Sequence, residues 1–329
     1  MVDAQSSWMS ETSTGGSPAV CRLAVPVSST EFGSIKFGEL VQDHRGRLVG
    51  MPWPLTCYAT ARLKATPGVS AVNANGLRLA KTERVLTTFL QSHARLRVGL
   101  DVVLQDPVPD GIGCAISTAN MRLAVTASAR LLGVHVSRSW LARRLSAIEP
   151  TDALGLNDGR TCVWDFFKGK ALSPSYRVPH GTYVGAFPRG QSLPTDTLAG
   201  RRPSYTARER QLLDGIFAQI ISTLRTRSLP GLARLASISA DVNNVYFFKK
   251  EIPTLNAMTY RGEILGYWSA HSGTVFGAIG WPGQLDSLAR SLAKRLGAGY
   301  EIFGFQCDAE TDWAPFLINC GRRVLHLST

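Results

Sequence analysis

Pro107-Val-Pro-Asp-Gly-Ile-Gly-Cys-Ala-Ile-Ser-Thr-Ala-Asn120 (PVPDGIGCAISTAN) places two glycines and a Ser-Thr pair between a predicted strand and a predicted helix. The strand is Leu96 to Leu104 (LRVGLDVVL), rich in β-branched and aliphatic residues. The helix is Thr118 to Leu132, with Met121, Leu123, Val125, Ala129 and Leu132 on a broad apolar side. Glycine lets the intervening turn bring backbone N–H groups close to an anion. The helix start adds unpaired N–H groups and the positive end of a dipole. Such a segment is built to cradle phosphate, whereas a lone Gly-Ile-Gly would read equally well as an ordinary strand-to-helix turn.

Neither of the two common phosphate loops is present. The triphosphatase loop needs Gly-Lys followed by Ser or Thr, and no lysine lies between Lys81 and Lys168. The dinucleotide fingerprint needs a third glycine where Ile116 stands. A different class of phosphate-binding loop is implied.

The 329 residues are enough for two domains. No run of eighteen apolar residues occurs, so no membrane span is expected. The first twenty residues have neither the basic patch nor the apolar run of a secretory signal and read as a disordered leader (1–20). Cysteines 21, 57, 114, 162, 307 and 320 are widely spaced, with no metal-type pairing, which predicts reduced thiols in a cytoplasmic protein. Cys114 lies in the glycine loop near a helix start, where a thiol pKa falls. With no histidine nearby in sequence, it reads as a loop-wall residue before it reads as a nucleophile. The net charge of +12 would suit nucleic acid, but the arginines fall in scattered pairs without interleaved aromatics. A positive surface that attracts anionic nucleotide accounts for the charge, and no nucleic-acid partner is expected.

The remaining elements alternate without repeats. β-prone runs at Cys21 to Val27 and at Leu48 to Lys64 are separated by the turn Asp43-His44-Arg45-Gly46, and Leu77 to Leu90 is helical in its second half. A second helix runs through SRSWLARRLSAIE, capped by Ser137 or Ser139 and stopped at Pro150. Thr182 to Phe187 is a strand. The Gly-, Pro- and Arg-rich residues 188–203 then form the expected boundary between a nucleotide-binding domain (21–187) and an α+β domain (204–329). In the latter, Tyr205 to Arg225, Pro230 to Asn244, Glu251 to Met258 and Gln284 to Leu296 read as helices, and Ile264 to Trp268, Thr274 to Ile279 and Glu301 to Phe305 as strands.

Chemistry is expected at four further places. The HSGTV run, His271 to Val275, has the composition of a ligand loop, although a hairpin turn would also use its Ser-Gly. Asp152 and Asp165 are candidates to orient a hydroxyl attacking phosphorus; each would serve equally as a cap or turn residue. Glu149 stands close enough in sequence to Asp152 to approach the same metal. Glu39 and Gln42 in KFGELVQ are either strand-edge residues or contacts for the amino group of a small substrate.

Taken in order, these segments resemble the GHMP superfamily of small-molecule kinases, and within it most nearly the L-threonine kinase branch that makes O-phosphothreonine for the cobalamin side chain. Gly38-Glu-Leu-Val-Gln42 is similar to that branch's first motif, Pro107 to Ala119 to its ATP loop, Glu149-Pro-Thr-Asp152 to its acidic motif and Ala270-His-Ser-Gly-Thr-Val275 to its third motif. Asp196-Thr197 and Ala236-Ser-Ile-Ser-Ala240 with Asn243 are weaker echoes. The resemblance implies an α+β fold, with a ribosomal-protein-S5-like N-terminal domain and a ferredoxin-like C-terminal domain. It implies ATP with Mg²⁺ and phosphorylation of the hydroxyl of L-threonine or a related hydroxy amino acid. Pro109, Gly111, Gly113, Cys114, Ala115, Ser117 and Thr118 would line the phosphate site, and Ser117 and Glu149 would serve the metal. Asp152 or Asp165 would hold the acceptor hydroxyl; Glu39, Gln42, His271, Ser272, Gly273 and Thr274 would face the substrate. A homodimer is compatible with the resemblance. The loop departs from the branch's usual Ala-Ser-Ser-Thr-Ala-Asp: Ile116 removes a hydroxyl and Asn120 a carboxylate, which points to a different hydroxy amino acid or a slower enzyme. The alternative is a catalytically silent relative that binds nucleotide or a protein partner; a mutase or decarboxylase on the same scaffold stands behind it.

Overall fold

The structure, a computed structural model, describes residues 28–93, 98–151, 160–191, 203–270 and 273–307. The leader, the β-prone run at Cys21 to Val27, Asp152, His271, Ser272 and the echo at Asp196-Thr197 lie outside these residues. The chain opens on a long antiparallel hairpin, β1 (Ser28–Gln42) and β2 (Arg47–Lys64). The turn between them forms because the Asp43 carboxylate accepts the N–H groups of Arg45 and Arg47 at 2.9 and 2.8 Å. Strand β3 (Gly68–Asn73) leads through α1 (Ala80–His93) to β4 (Gly99–Gln105), which lies parallel to β3 and antiparallel to β2. The short strands β6 (Val163–Asp165) and β7 (Lys170–Ala171) extend the sheet from the other end of β2, giving the order β3-β4-β2-β6-β7 with β1 also on β2.

Helix α2 (Ile116–Leu131) follows β4 through the glycine-rich segment. Its buried positions run from Ile116 to Leu131 on almost every side, wider than the one-sided stripe expected from sequence. Apolar residues all round place a helix inside a domain, and α2 packs against β1, β2 and α1. Helix α3 (Arg138–Ser146) starts at Ser137, whose hydroxyl accepts the Trp140 N–H. The polar stretch after it folds into a two-stranded sheet, β5 (Arg160–Thr161) with β8 (Tyr176–Arg177).

The second sheet has the order β10-β11-β9-β12, formed by β9 (Gly181–Pro188), β10 (Gly266–Ser269), β11 (Phe276–Gly280) and β12 (Tyr300–Cys307), all antiparallel. The expected boundary at 188–203 would leave β9 in the first domain. By hydrogen bonding, β9 is instead an inner strand of the second sheet, between β11 and β12. Its apolar run suits burial on both faces, and sequence cannot say which sheet receives it. Helices α4 (Ala207–Arg225), α5 (Leu229–Asn244), α6 (Ile252–Tyr260) and α7 (Leu285–Leu296) accompany this sheet. Helix α5 touches both β10 and β1, so it carries the contact between the halves. No helix among the described residues is long and apolar enough to cross a membrane.

Helix α4 begins with a reciprocal capping box: the Thr206 hydroxyl accepts the Glu209 N–H, and Glu209 reaches back to the Thr206 N–H at 2.7 Å. Thr206→Ala is expected to cost about 1 kcal/mol. In thermal melting that is a fall of about 2–4 °C. A melting curve that coincides with the parent's would show that the cap contributes nothing.

Candidate functional site

Between β4 and α2 the chain takes a left-handed backbone three times, at Gly111 (φ 79°), Gly113 (φ 98°) and Ala115 (φ 56°). An alanine there is strained by about 1–2 kcal/mol, and strain of this kind is kept where it aims backbone groups. Ala115 is the N-cap of α2 and supplies no side-chain oxygen to the helix N–H groups. Those first-turn donors are left for an external acceptor. Ile112, Cys114 and Ile116 turn into the core, whereas Gly111, Gly113, Ala115 and Ser117 are half-buried. The alternation holds the loop from behind and leaves its glycines, Ala115 and Ser117 partly exposed. Ile116 therefore takes a core position, and the hydroxyl expected there from the resemblance has been exchanged for packing.

Asn120 has an equally local reason. Its amide donates to Asp106 Oδ2 at 3.0 Å, bracing the end of β4 against α2. An aspartate at this position would set two carboxylates against each other. Burial, with the charge of Asp110 adding to it, pushes the Asp106 carboxyl upward, and burial likewise holds the neighbouring Cys57 thiol protonated. Cys114 is buried in the loop wall, as a spacer would be.

The third motif comes to this loop from the other half of the chain. The Val275 N–H donates to the Ile112 carbonyl at 2.8 Å, and Val275 in turn accepts from the Ala270 N–H at 2.9 Å. Gly273 (φ 123°) lies directly on the glycine loop: a Cβ placed on it would stand 2.5 Å from both Gly113 Cα and Gly113 N. Thr274 adds a buried hydroxyl oxygen without a hydrogen-bond partner among the described residues. Two segments about 160 residues apart in the sequence are thus in backbone contact.

The first motif lies on β1, where the pairing with β2 shifts register between Lys36 and Gly38 and again between Glu39 and Val41. Glu39 and Gln42 are both buried. The Gln42 main chain is tied to α5: its N–H donates to Ser239 Oγ at 3.0 Å, and its carbonyl accepts from the Ser239 hydroxyl at 3.2 Å and the Asn243 amide at 3.3 Å. Ser239 and Asn243, singled out in sequence as a weak echo, therefore fasten the two halves together. Gln42 Oε1 is buried without a hydrogen-bond partner among the described residues.

Lys249 escaped the sequence reading because Lys249-Lys250-Glu251 looks like a solvated charge run. It is buried, and its ammonium donates to the Ala270 carbonyl at 2.5 Å. Burial pulls its pKa down to about 8, with the charges of Glu39 and Glu251 acting in the opposite sense.

The acidic motif is partly described. Glu149 Oε2 accepts from Lys81 Nζ at 2.7 Å, the carboxylate buried and the lysine half-buried. The Thr151 N–H donates to the Phe166 carbonyl, and the Thr151 carbonyl accepts from Trp164 Nε1 at 2.7 Å, fixing the chain just before Asp152. Asp165 closes the turn from β6 to β7: its carboxylate accepts the Lys168 N–H at 3.0 Å and lies 3.6 Å from Lys168 Nζ. Elsewhere Asp43, His44 and Asp214 cluster closely enough to hold a metal, but both carboxylates are bonded by Arg45 and Arg47.

Compared with known proteins, the chain matches no family model. A stretch of 121 residues, 35% of this chain, is 31% identical to the L-threonine kinase of Salmonella typhimurium, of which it covers 38%. Solved structures align over most of the chain. The homoserine kinase of Cytophaga hutchinsonii superposes with a TM-score of 0.64 at 14% identity, covering 85% of this chain and 95% of that one. The mevalonate pyrophosphate decarboxylase of Streptococcus pyogenes gives 0.65 at 12% identity over 88% and 99%. The Lactococcus lactis galactokinase complexed with galactose gives 0.64 at 13% identity over 86% and 94%.

Proposed function

We propose that this chain, whose two-domain α+β fold is that of the GHMP kinases, is an ATP-dependent phosphotransferase acting on the side-chain hydroxyl of a small amino acid, L-threonine or a close relative. The observation that carries this reading is the seating of Gly273 to Val275 on Gly113 and Ile112, in the loop that leads into the uncapped start of α2. A loop of backbone donors held by a second segment suits a triphosphate. The 121-residue likeness to an L-threonine kinase supports the choice of acceptor.

The residues present suit Mg²⁺·ATP. Ile112 to Thr118 would hold the phosphates through backbone N–H groups, with Pro109 and Gly111 shaping the loop ahead of them and Ser117 Oγ on the β-phosphate or the metal. Glu149 would approach the same ion, its charge shared with Lys81. Magnesium supplies neutralisation of the phosphate charge. Transfer runs through a loose transition state in which positioning outweighs proton abstraction. Asp152 would orient the acceptor hydroxyl and finish with its proton. Asp165 is the alternative for that role, but its carboxylate already closes the β6–β7 turn.

The direct test is a screen for ADP release over hydroxy amino acids, amino alcohols and sugars, with phosphorus NMR of the product. An O-phospho amino acid is expected. A sugar phosphate as sole product would overturn the acceptor, and absence of calorimetric nucleotide binding at millimolar concentration would overturn the kinase reading. Ser117→Ala removes the proposed contact to the β-phosphate or the metal and is expected to lower turnover about 10- to 100-fold, as loss of a hydrogen bond to a charged group does. Unchanged turnover would show that the Ser117 hydroxyl serves neither the β-phosphate nor the metal.

A further inference from the structure

A buried lysine from a third segment holds the base of the hairpin that brings the third motif to the glycine loop. Ala270, directly after β10, donates its N–H to the Val275 carbonyl at 2.9 Å, and the Val275 N–H donates to the Ile112 carbonyl at 2.8 Å. The Ala270 carbonyl accepts from Lys249 Nζ at 2.5 Å. A continuous chain of hydrogen bonds therefore runs from Lys249 through Ala270 and Val275 to Ile112, beside the point where Gly273 meets Gly113.

Lys249 is itself fixed at its backbone. Its N–H donates to Asn244 Oδ1 at 2.7 Å, at the end of α5, and its carbonyl accepts the Ile252 N–H at 3.2 Å, at the start of α6. Helix α5 also holds the main chain of Gln42 through Ser239 and Asn243. The hairpin base is thus tied to the same helix that fastens the first motif. A buried ammonium is costly, and an uncharged side chain of the same length would fill this space without that cost. What the ammonium adds is a charge-assisted bond to the Ala270 carbonyl. Burial pulls its pKa down to about 8, while the charges of Glu39 on β1 and Glu251 ahead of α6 favour the charged form; Glu251 in turn accepts the Tyr300 hydroxyl from β12.

We infer that Lys249 is a positioning residue for phosphoryl transfer: by holding the Ala270 carbonyl it keeps Gly273 to Val275 seated on Gly113 and Ile112. It acts through the main chain of the third motif and not by touching the reacting groups. This role rests on the kinase reading and adds a residue that none of the motifs contains.

The test measures turnover of the full chain at pH 7, with saturating ATP and the best acceptor of the screen above, and nucleotide affinity by calorimetry. Lys249→Met should lower turnover about 10- to 100-fold and weaken nucleotide binding with it. Lys249→Arg, which keeps the charge and the donor, should recover part of both, and Lys250→Met, at the exposed neighbour, should match the parent. Gly273→Ala unseats the same segment by a Cβ 2.5 Å from Gly113 Cα. The double variant Lys249→Met with Gly273→Ala should turn over within about threefold of Gly273→Ala alone, because residues acting through one contact are not additive. Parental turnover in a folded Lys249→Met protein overturns the inference. So does a double variant in which the two losses multiply, the pattern of a lysine that serves the fold and not the seat. If Lys249→Met does not fold in a melting experiment, the pH profile decides. The ammonium keeps its charge below about pH 8 and loses it above, which weakens the bond to Ala270. Parental turnover should then fall about 5- to 10-fold between about pH 7 and about pH 9.5, while Lys249→Arg, still charged there, should stay level. Profiles that coincide in the two proteins overturn the inference. A parent active on any acceptor that fails these comparisons removes the inference alone; a parent that phosphorylates no acceptor removes the kinase reading and the inference with it.

Discussion

Gly273→Ala is expected to reduce turnover by about 10²–10³ and to weaken nucleotide binding in parallel, because misplacing a reacting group by about 1 Å can cost 10²-fold. Two effects act together. The residue holds φ 123°, a backbone region that side chains rarely adopt, at a cost of about 1–3 kcal/mol. The added Cβ would also lie 2.5 Å from Gly113 Cα, Gly113 N and the Ile112 carbonyl carbon. None of these atoms can rotate away, so the third motif or the glycine loop must move off its partner. Gly283→Ala is the matched control: it too has positive φ (82°), but its Cβ would meet nothing within 4 Å. That variant should lose stability and keep turnover. Steady-state kinetics and calorimetry on both proteins give the answer, and a Gly273→Ala enzyme with parental turnover would mean that the seating of the two segments plays no part in catalysis.

Asp152→Asn is expected to cut turnover by about 10²–10⁴ with nucleotide affinity within a few-fold of the parent, the range typical of losing a positioned acid–base group. The residue follows Thr151, whose N–H and carbonyl are both bonded to the β6 segment and its continuation, so the chain is fixed up to the residue before it. Asp165→Asn is the parallel measurement. Its carboxylate serves the Lys168 N–H at the β6–β7 turn, so that variant should lose about 1 kcal/mol of stability and keep its turnover. Parental activity in Asp152→Asn with a dead Asp165→Asn would reverse the assignment. Full activity in both would place the hydroxyl-orienting group on another residue.

Much of the fold was readable wherever the determining signal is local. Ser137 capped α3 as its sequence allowed, and the Asp43 turn formed where a side-chain acceptor precedes an arginine-flanked glycine. The glycine loop was readable for the same reason: its left-handed positions follow from residue types within a few places of one another. The long strand β1 was not. Its pairing with β2 shifts register three times, which breaks the alternation by which a strand is recognised. Ile116 and Asn120, departures when compared with a motif, acquired reasons once burial and Asp106 were in view.

By itself, then, the sequence determined most of the helices, the Ser137 cap, the glycine-rich loop between β4 and α2 and the order of its motifs, since propensity, capping and turn chemistry act over a few residues. Tertiary structure alone decided that β9 joins the second sheet, that Gly273 lies on Gly113, and that Ser239 and Asn243 hold β1 to α5. It also turned Lys249 from one member of a surface-like charge run into a buried ammonium on the Ala270 carbonyl. These contacts join residues from 21 to about 200 places apart, and what fixes them is the packing of whole elements and the need to satisfy each polar group that packing buries.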